Sequence, residues 1–199
     1  NQCHSPNPDV HQKTMGRIFK ISHESDKWVQ VDLSKASDLE LVNHQLNKNE
    51  WYVQHARLIL QERGPNKKVH KALKDILNNN PDITRKLRAL WALHVTNGLE
   101  EDELIKLLEH QNEYIRSWAI QLMAENKNLS DKALSRFAGL AKTDNSALVR
   151  LYLASALQRT SPEKRWEILE ALVQRAEDKD DQNLPLMLWY ALEPAVPTD

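Results

Sequence analysis

The chain has 199 residues with 27 Lys and Arg against 28 Asp and Glu, a formal charge of −1, which argues against a dedicated nucleic-acid binder held by counterion release. Four glycines and a single cysteine, Cys3, speak against folds built on many tight turns, such as propellers, sandwiches and dinucleotide-binding domains, and exclude an internal disulfide. The longest uncharged apolar stretch, Leu184 to Leu192, is far short of the about 20 residues that a membrane span needs.

The first residue is Asn1, and no basic, apolar, small-residue succession follows it, so the chain reads as a processed product or an excised piece. Pro6, Pro8 and Gly16 punctuate an opening segment whose periodic pieces are Ile18, Phe19 and Ile21, then Trp28, Val29 and Val31. That pattern predicts short strands, and residues 1–33 are read as an extended segment. From residue 34 to 199 the apolar spacing becomes helical, as in Leu39, Val42 and Leu46, in Leu104, Leu107 and Leu108, and in Ile168, Leu169, Leu172 and Val173.

Helix boundaries are marked by Ser37 or Asp38, Gly64-Pro65, Pro81-Asp82, Gly98, Ser130-Asp131, Ser161-Pro162 and Asn183. Ser161-Pro162-Glu163-Lys164 sets Pro just inside a capped start. About ten helices joined by short links result, and they sort into about five pairs.

The second helix of each pair repeats one element: an apolar residue, usually Arg, then a large ring and Ala at helical spacing. It stands as Leu87-Arg88-Ala89-Leu90-Trp91-Ala92, Ile115-Arg116-Ser117-Trp118-Ala119-Ile120, Val149-Arg150-Leu151-Tyr152-Leu153-Ala154 and Leu186-Met187-Leu188-Trp189-Tyr190-Ala191, after a weaker copy at Trp51 to Ala56. Spacings of roughly 28 to 37 residues are those of a stacked helix-turn-helix unit. Ala permits close helix approach and the ring fills the space between units, so each pair hides its apolar face only when stacked.

The units carrying Asn112, Ile115, Arg116, Trp118 and Ala119, and Asn145, Val149, Arg150 and Ala154, resemble HEAT-type repeats, as does Asp82 before Arg88. The resemblance implies an all-α, HEAT-like α-α superhelix of about five helical pairs, in which the turn residue and the Arg form hydrogen-bonded ladders. Cys3-His4, Asn7-Pro8, His11 and Gly16-Arg17-Ile18-Phe19-Lys20-Ile21 are similar to the closing stretch of the β-propeller in membrane-bound, sugar-dehydrogenase-like multidomain bacterial proteins. Trp51 to Gly64 and Leu188 to Pro194 resemble the repeat region of the same proteins, where the propeller is followed by HEAT-like repeats and a haem-binding cytochrome c domain. This implies a periplasmic or cell-envelope setting. No Cys-x-x-Cys-His occurs and there is no length for a propeller, so no catalytic, cofactor or metal residue is carried over.

Arg88, Arg116 and Arg150, aligned at one register, are the candidates either for binding an anionic partner or for an internal ladder with Asp82, Asn112 and Asn145. Trp91, Trp118, Tyr152, Trp189 and Tyr190 read as core rather than as a cage or base-stacking platform. Trp51 and Tyr52, opening a helix, are candidates for seating a neighbouring domain. Among the eight histidines only His4 and His11, with Cys3, lie close enough in sequence to suggest a metal, and packing is the better account of them. Asp178, Asp180, Asp181 and Asn183 lack the Gly and Glu of a calcium loop and read as a solvated linker. Asn128-Leu129-Ser130 spells a glycosylation sequon, with Ser130 more suited to capping.

The last helix, apolar on nearly every side, is expected to be followed beyond Asp199 by a further unit or domain in the full protein, and in isolation to be covered by a second copy or by the loop holding Pro194 and Pro197. The resulting expectation is a non-catalytic interaction and spacer module, with neighbouring domains or a protein as partners and no cofactor. The alternatives are a free-standing HEAT-like protein-binding scaffold and a HEAT-like DNA glycosylase, which would need a basic groove.

Overall fold

The computed structural model describes residues 7, 9, 21–25, 27, 29–125, 127 and 129–196. The chain divides into two units, Asn1–Asp32 and Leu33–Asp199. In the first, no described residue belongs to a strand, and Ile21 and Val29 face water. The predicted strands therefore do not form at those positions, where short extended pieces are marginal by themselves. Ile18, Phe19 and Trp28 lie outside the described residues, as do Cys3, His4, His11 and residues 16–20.

The second unit is all-helical among its described residues. It comprises α1 (Asp38–His44), α2 (Glu50–Arg63), α3 (Lys67–Asn79), α4 (Ile83–Val95), α5 (Glu101–Leu107), α6 (Glu113–Ala124), α7 (Asp131–Thr143), α8 (Ala147–Leu157), α9 (Trp166–Val173) and α10 (Leu184–Leu192). Short 3-10 turns lie at Leu33–Lys35, Pro162–Lys164, Ala176–Asp178 and Glu193–Ala195.

Polar residues start these helices by accepting hydrogen bonds from backbone groups that the first turn leaves unpaired. Ser37 caps α1 in a reciprocal box with Glu40, and Asn49, Asn66, Asp82, Asn112, Ser130 and Ser146 cap α2, α3, α4, α6, α7 and α8. Ser161-Pro162 does not open α9 directly. It forms the 3-10 turn, and Arg165 separates that turn from α9 by donating to Thr160 O at 2.8 Å and Ala191 O at 2.9 Å.

Consecutive helices pair, and the pairs stack so that α2 meets α4, α6 meets α8 and α8 meets α10 in one layer, while α1 meets α3 and α7 meets α9 in the other. Buried residues at helical spacing drive this: Val69, Leu73 and Leu77 on α3, Leu90 and Leu93 on α4, Ile115, Ala119 and Ile120 on α6, and Leu153, Ala154 and Leu157 on α8. Each large side chain so buried contributes about 1.5–3 kcal/mol before the entropy of ordering it is counted.

On α10 only Leu184 and Ala191 are buried, whereas Leu186, Trp189 and Tyr190 are half exposed. The reading of Trp189 and Tyr190 as core is thus corrected. No described helix of this chain packs on the outer side of α10, and the turn holding Pro194 leaves those rings uncovered; Pro197 lies outside the described residues.

At the end of α4 the chain reverses through Asn97, which has a φ of 55°, and Gly98 N donates to Leu93 O at 2.7 Å. A Cβ on Gly98 would stand 2.7 Å from the ring of His70, which is held by its bond to Thr96 O at 3.0 Å. Gly98→Ala is expected to destabilise the unit by about 1–3 kcal/mol in urea unfolding, and by less when His70 is also replaced by Ala.

Candidate functional site

Counted from the capping residues Asp82, Asn112 and Ser146, the residues four places on are Lys86, Arg116 and Arg150. Arg88 therefore stands two places beyond the register shared by Arg116 and Arg150, level instead with Trp118 and Tyr152. The repeat element alone misaligned it because Leu87-Arg88 and Trp91-Ala92 reproduce its apolar, Arg, ring and Ala residues two places late, while the cap register puts Arg85 and Lys86 at the first two positions.

Arg150 is 2% exposed, and its Nε and Nη2 each donate to the Asp178 carboxylate at 2.5 Å. Its Nη1 donates to Asp144 O at 2.9 Å. Donation to the Asp178 carboxylate holds the guanidinium in its charged form and pushes its pKa up against the cost of burial. One step back, Arg116 Nε and Nη2 donate to Asp144 at 2.7 and 2.9 Å, and its Nη1 donates to His110 O at 2.8 Å and Gln111 O at 3.0 Å. Each Arg thus ties its own turn to the turn of the following pair, 28 residues on.

The acids of the ladder are not those expected. Asp82 and Asn112 are turned to Thr84 N and Tyr114 N of their own helices, and Asn145 is exposed. Asp144 does two jobs, accepting Arg116 and also Ser146 N at 2.9 Å. In the longer turn before α10 the jobs are divided: Asp178 accepts Arg150, while Asp181 accepts from Asn183 N and Leu184 N. Asp178 is buried, so the acidic segment is no solvated linker at that residue. The signal that reveals it in the sequence is the repeated separation of 28 residues from Arg to Asp, at positions other than the turn residues Asp82, Asn112 and Asn145.

His110 occupies the place of Asp144 one pair earlier, and its Nδ1 likewise accepts from Asn112 N at 3.0 Å. The ladder position facing it is Lys86, which bonds Asn78 O at 2.8 Å instead. Burial, then Lys86, and more weakly Arg116, push the His110 pKa down, and Nδ1 can accept from Asn112 N only while the ring is unprotonated there. Glu109, the carboxylate of this turn, pairs with Arg136, and Arg88 points the other way, donating to Asn47 O at 2.8 Å, to Gln45 O at 3.4 Å and to the Glu50 carboxylate.

The aromatic residues form two groups. Trp91 meets Trp118 edge-on with centroids 4.9 Å apart, and Trp118 lies 6.5 Å from Tyr152; all three are half-buried on the second-helix layer. Trp51 is exposed and stacks on His55 at 4.0 Å, while the half-buried Tyr52 stacks on His44 at 5.4 Å. Among the described residues no group of three or more His, Cys, Asp or Glu is placed to hold a metal; the set Cys3, His4 and His11 lies outside them. No described helix is long and apolar enough to cross a membrane. Ser130 caps α7, while Asn128 of the sequon is outside the described residues.

Asp178→Ala leaves a buried guanidinium without its carboxylate and is expected to cost about 3–5 kcal/mol in urea unfolding, against less than about 0.5 kcal/mol for Asp180→Ala at the exposed neighbour. Because the folded His110 resists protonation, the unfolded chain takes up the proton first, and stability is lost as pH falls through the ordinary imidazole range near about 6.5. His110→Asp should abolish that part of the loss, and a carboxylate opposite Lys86 should add about 0.5–1 kcal/mol at neutral pH, read as melting temperature against pH in both proteins. Compared with models of known protein families the chain matches none, and comparison with curated proteins gives no match either.

Proposed function

We propose that this chain is a non-catalytic spacer and interaction module, a HEAT-like stack that holds its neighbours at a fixed separation. What carries the reading is the pair of charged ties, Arg116 to Asp144 and Arg150 to Asp178, each joining the turns of successive helix pairs. A helix stack with packed junctions resists bending where a flexible linker would sample wide excursions.

The setting we propose is a larger, membrane-bound dehydrogenase-like protein of the periplasm or cell envelope, with a propeller on one side and a cytochrome c-like haem domain on the other. The resemblance of residues 16–21, Trp51 to Gly64 and Leu188 to Pro194 supports it. In that setting Trp51 and Tyr52, stacked on His55 and His44 beside the first turn, suit contact with a preceding domain. The exposed Leu186, Trp189 and Tyr190 on α10 suit either a following domain or a second copy of the chain.

Fluorophores placed at Lys48 and Glu193 test the spacer reading through the distribution of energy-transfer distances. The expected result is one narrow distribution that broadens in Asp144→Asn; a broad distribution in the unaltered chain would remove the proposal. Sedimentation of the same sample reads whether α10 pairs two copies.

A further inference from the structure

Two hydrogen-bond donors sit side by side on the second-helix layer with nothing to bond. Arg57 lies with its Cζ 5.5 Å from the centroid of the Trp91 ring, and both Arg57 Nη1 and Trp91 Nε1 are shut away from solvent without an acceptor. No hydrogen bond or ion pair ties any atom of Arg57 among the described residues. The nearest acid, Glu50, is committed to Arg88, whose own positive charge adds to that of Arg57. Unsatisfied buried donors are costly, and a cation more so, and among the described residues no carboxylate bonds them.

The same place is the start of a row. From Arg57 the steps to Trp91, Trp118 and Tyr152 are 5.5, 4.9 and 6.5 Å, crossing α2, α4, α6 and α8. Tyr152 then forms one wall of a groove of about 350 Å³ with Leu151, Gln121, Ser155, Asn183 and Met187. The row is long enough for about five residues of extended backbone.

We propose that this strip docks an extended segment of a protein partner, with a carboxylate side chain meeting Arg57 and Trp91 and an apolar side chain entering the groove beside Met187. The occupant is a peptide rather than a nucleic acid because the charge is confined to one end. Gln121, Ser155 and Asn183 at the other end are neutral, whereas a single strand needs a positive track along its whole backbone. Arg57 has no hydrogen bond to break, but its Nη1 is shut from solvent in the unbound chain, so its planar fork must swing outward from the indole to reach two carboxylate oxygens. This inference rests on the reading of the chain as an interaction module and names the chemistry of its partner.

Fluorescence anisotropy of a labelled peptide of about ten residues, with adjacent glutamates about five residues before a leucine, tests it. The comparisons are the same peptide with glutamines and a single-stranded DNA of similar length. The expected outcome is binding of the glutamate peptide at least about tenfold tighter than of either comparison. Arg57→Gln should abolish that preference without lowering the melting temperature. If Arg57→Gln fails to fold, Trp91→Phe, which keeps a ring and removes the N–H, should weaken the glutamate peptide by about fivefold and leave the glutamine peptide unchanged.

Equal affinity for the two peptides, no binding of the glutamate peptide at about 1 mM, an unaltered preference in the folded variant, or tighter binding of DNA overturns the proposal. The label distances between Lys48 and Glu193 are unaffected by any of these outcomes, so the spacer reading stands or falls separately.

Discussion

A guanidinium taken almost wholly out of water must find its counter-charge inside the chain, and Arg150 finds it in Asp178 across a junction between helix pairs. Both nitrogens of one edge are spent on the two carboxylate oxygens, and the remaining nitrogen is spent on Asp144 O. That geometry leaves little freedom in how α8 and the turn before α10 sit together, since sliding one past the other would strand a buried charge. The Arg116 to Asp144 pair repeats the constraint one junction earlier. Arg175 adds to it by donating to Asp144 O at 2.7 Å and to Lys142 O at 3.0 Å.

The ladder also explains where the stack differs along its length. Between the second and third pairs the ladder positions hold Lys86 and His110, which form no ion pair, and the junction carries its charge contact elsewhere, from Lys74 on α3 to Glu103 on α5 at 2.6 Å. There α4 and α6 come together through the rings of Trp91 and Trp118 rather than through close backbone approach. Arg88 turns back to Glu50 and the carbonyls of the first turn. Its withdrawal of Glu50 is what leaves Arg57 with an aromatic face and no anion. A single substitution in the ladder pattern, His where the next two turns carry Asp, thus goes together with an uncompensated cation on the layer where the aromatic row begins.

At the far end the pattern stops. α10 carries Met187 where α6 and α8 carry Arg, and its outer face shows Leu186, Trp189 and Tyr190 to solvent. Its inner face is pinned by Leu184 and Ala191 and by the bond from Arg165 to Ala191 O. An apolar helix end held in this way offers a ready-made surface for another helical element.

Read along the chain, helical periodicity, scarce glycine and capping residues such as Ser37, Asp82, Ser130 and Asn112 determined the all-helical class, the paired helices and the order in which they stack. These are local properties: a cap needs only its own first turn, and an apolar stripe needs only the pitch of its own helix. Which acid meets which arginine was decided in three dimensions, because Asp144 and Asp178 stand 28 residues from their partners and a turn lengthened before α10 moved the acid away from its capping position. The exposure of Trp189 against the half-burial of Trp118, identical residues in equivalent places on their helices, likewise depends only on whether a neighbouring helix lies across them, which no single-helix pattern contains.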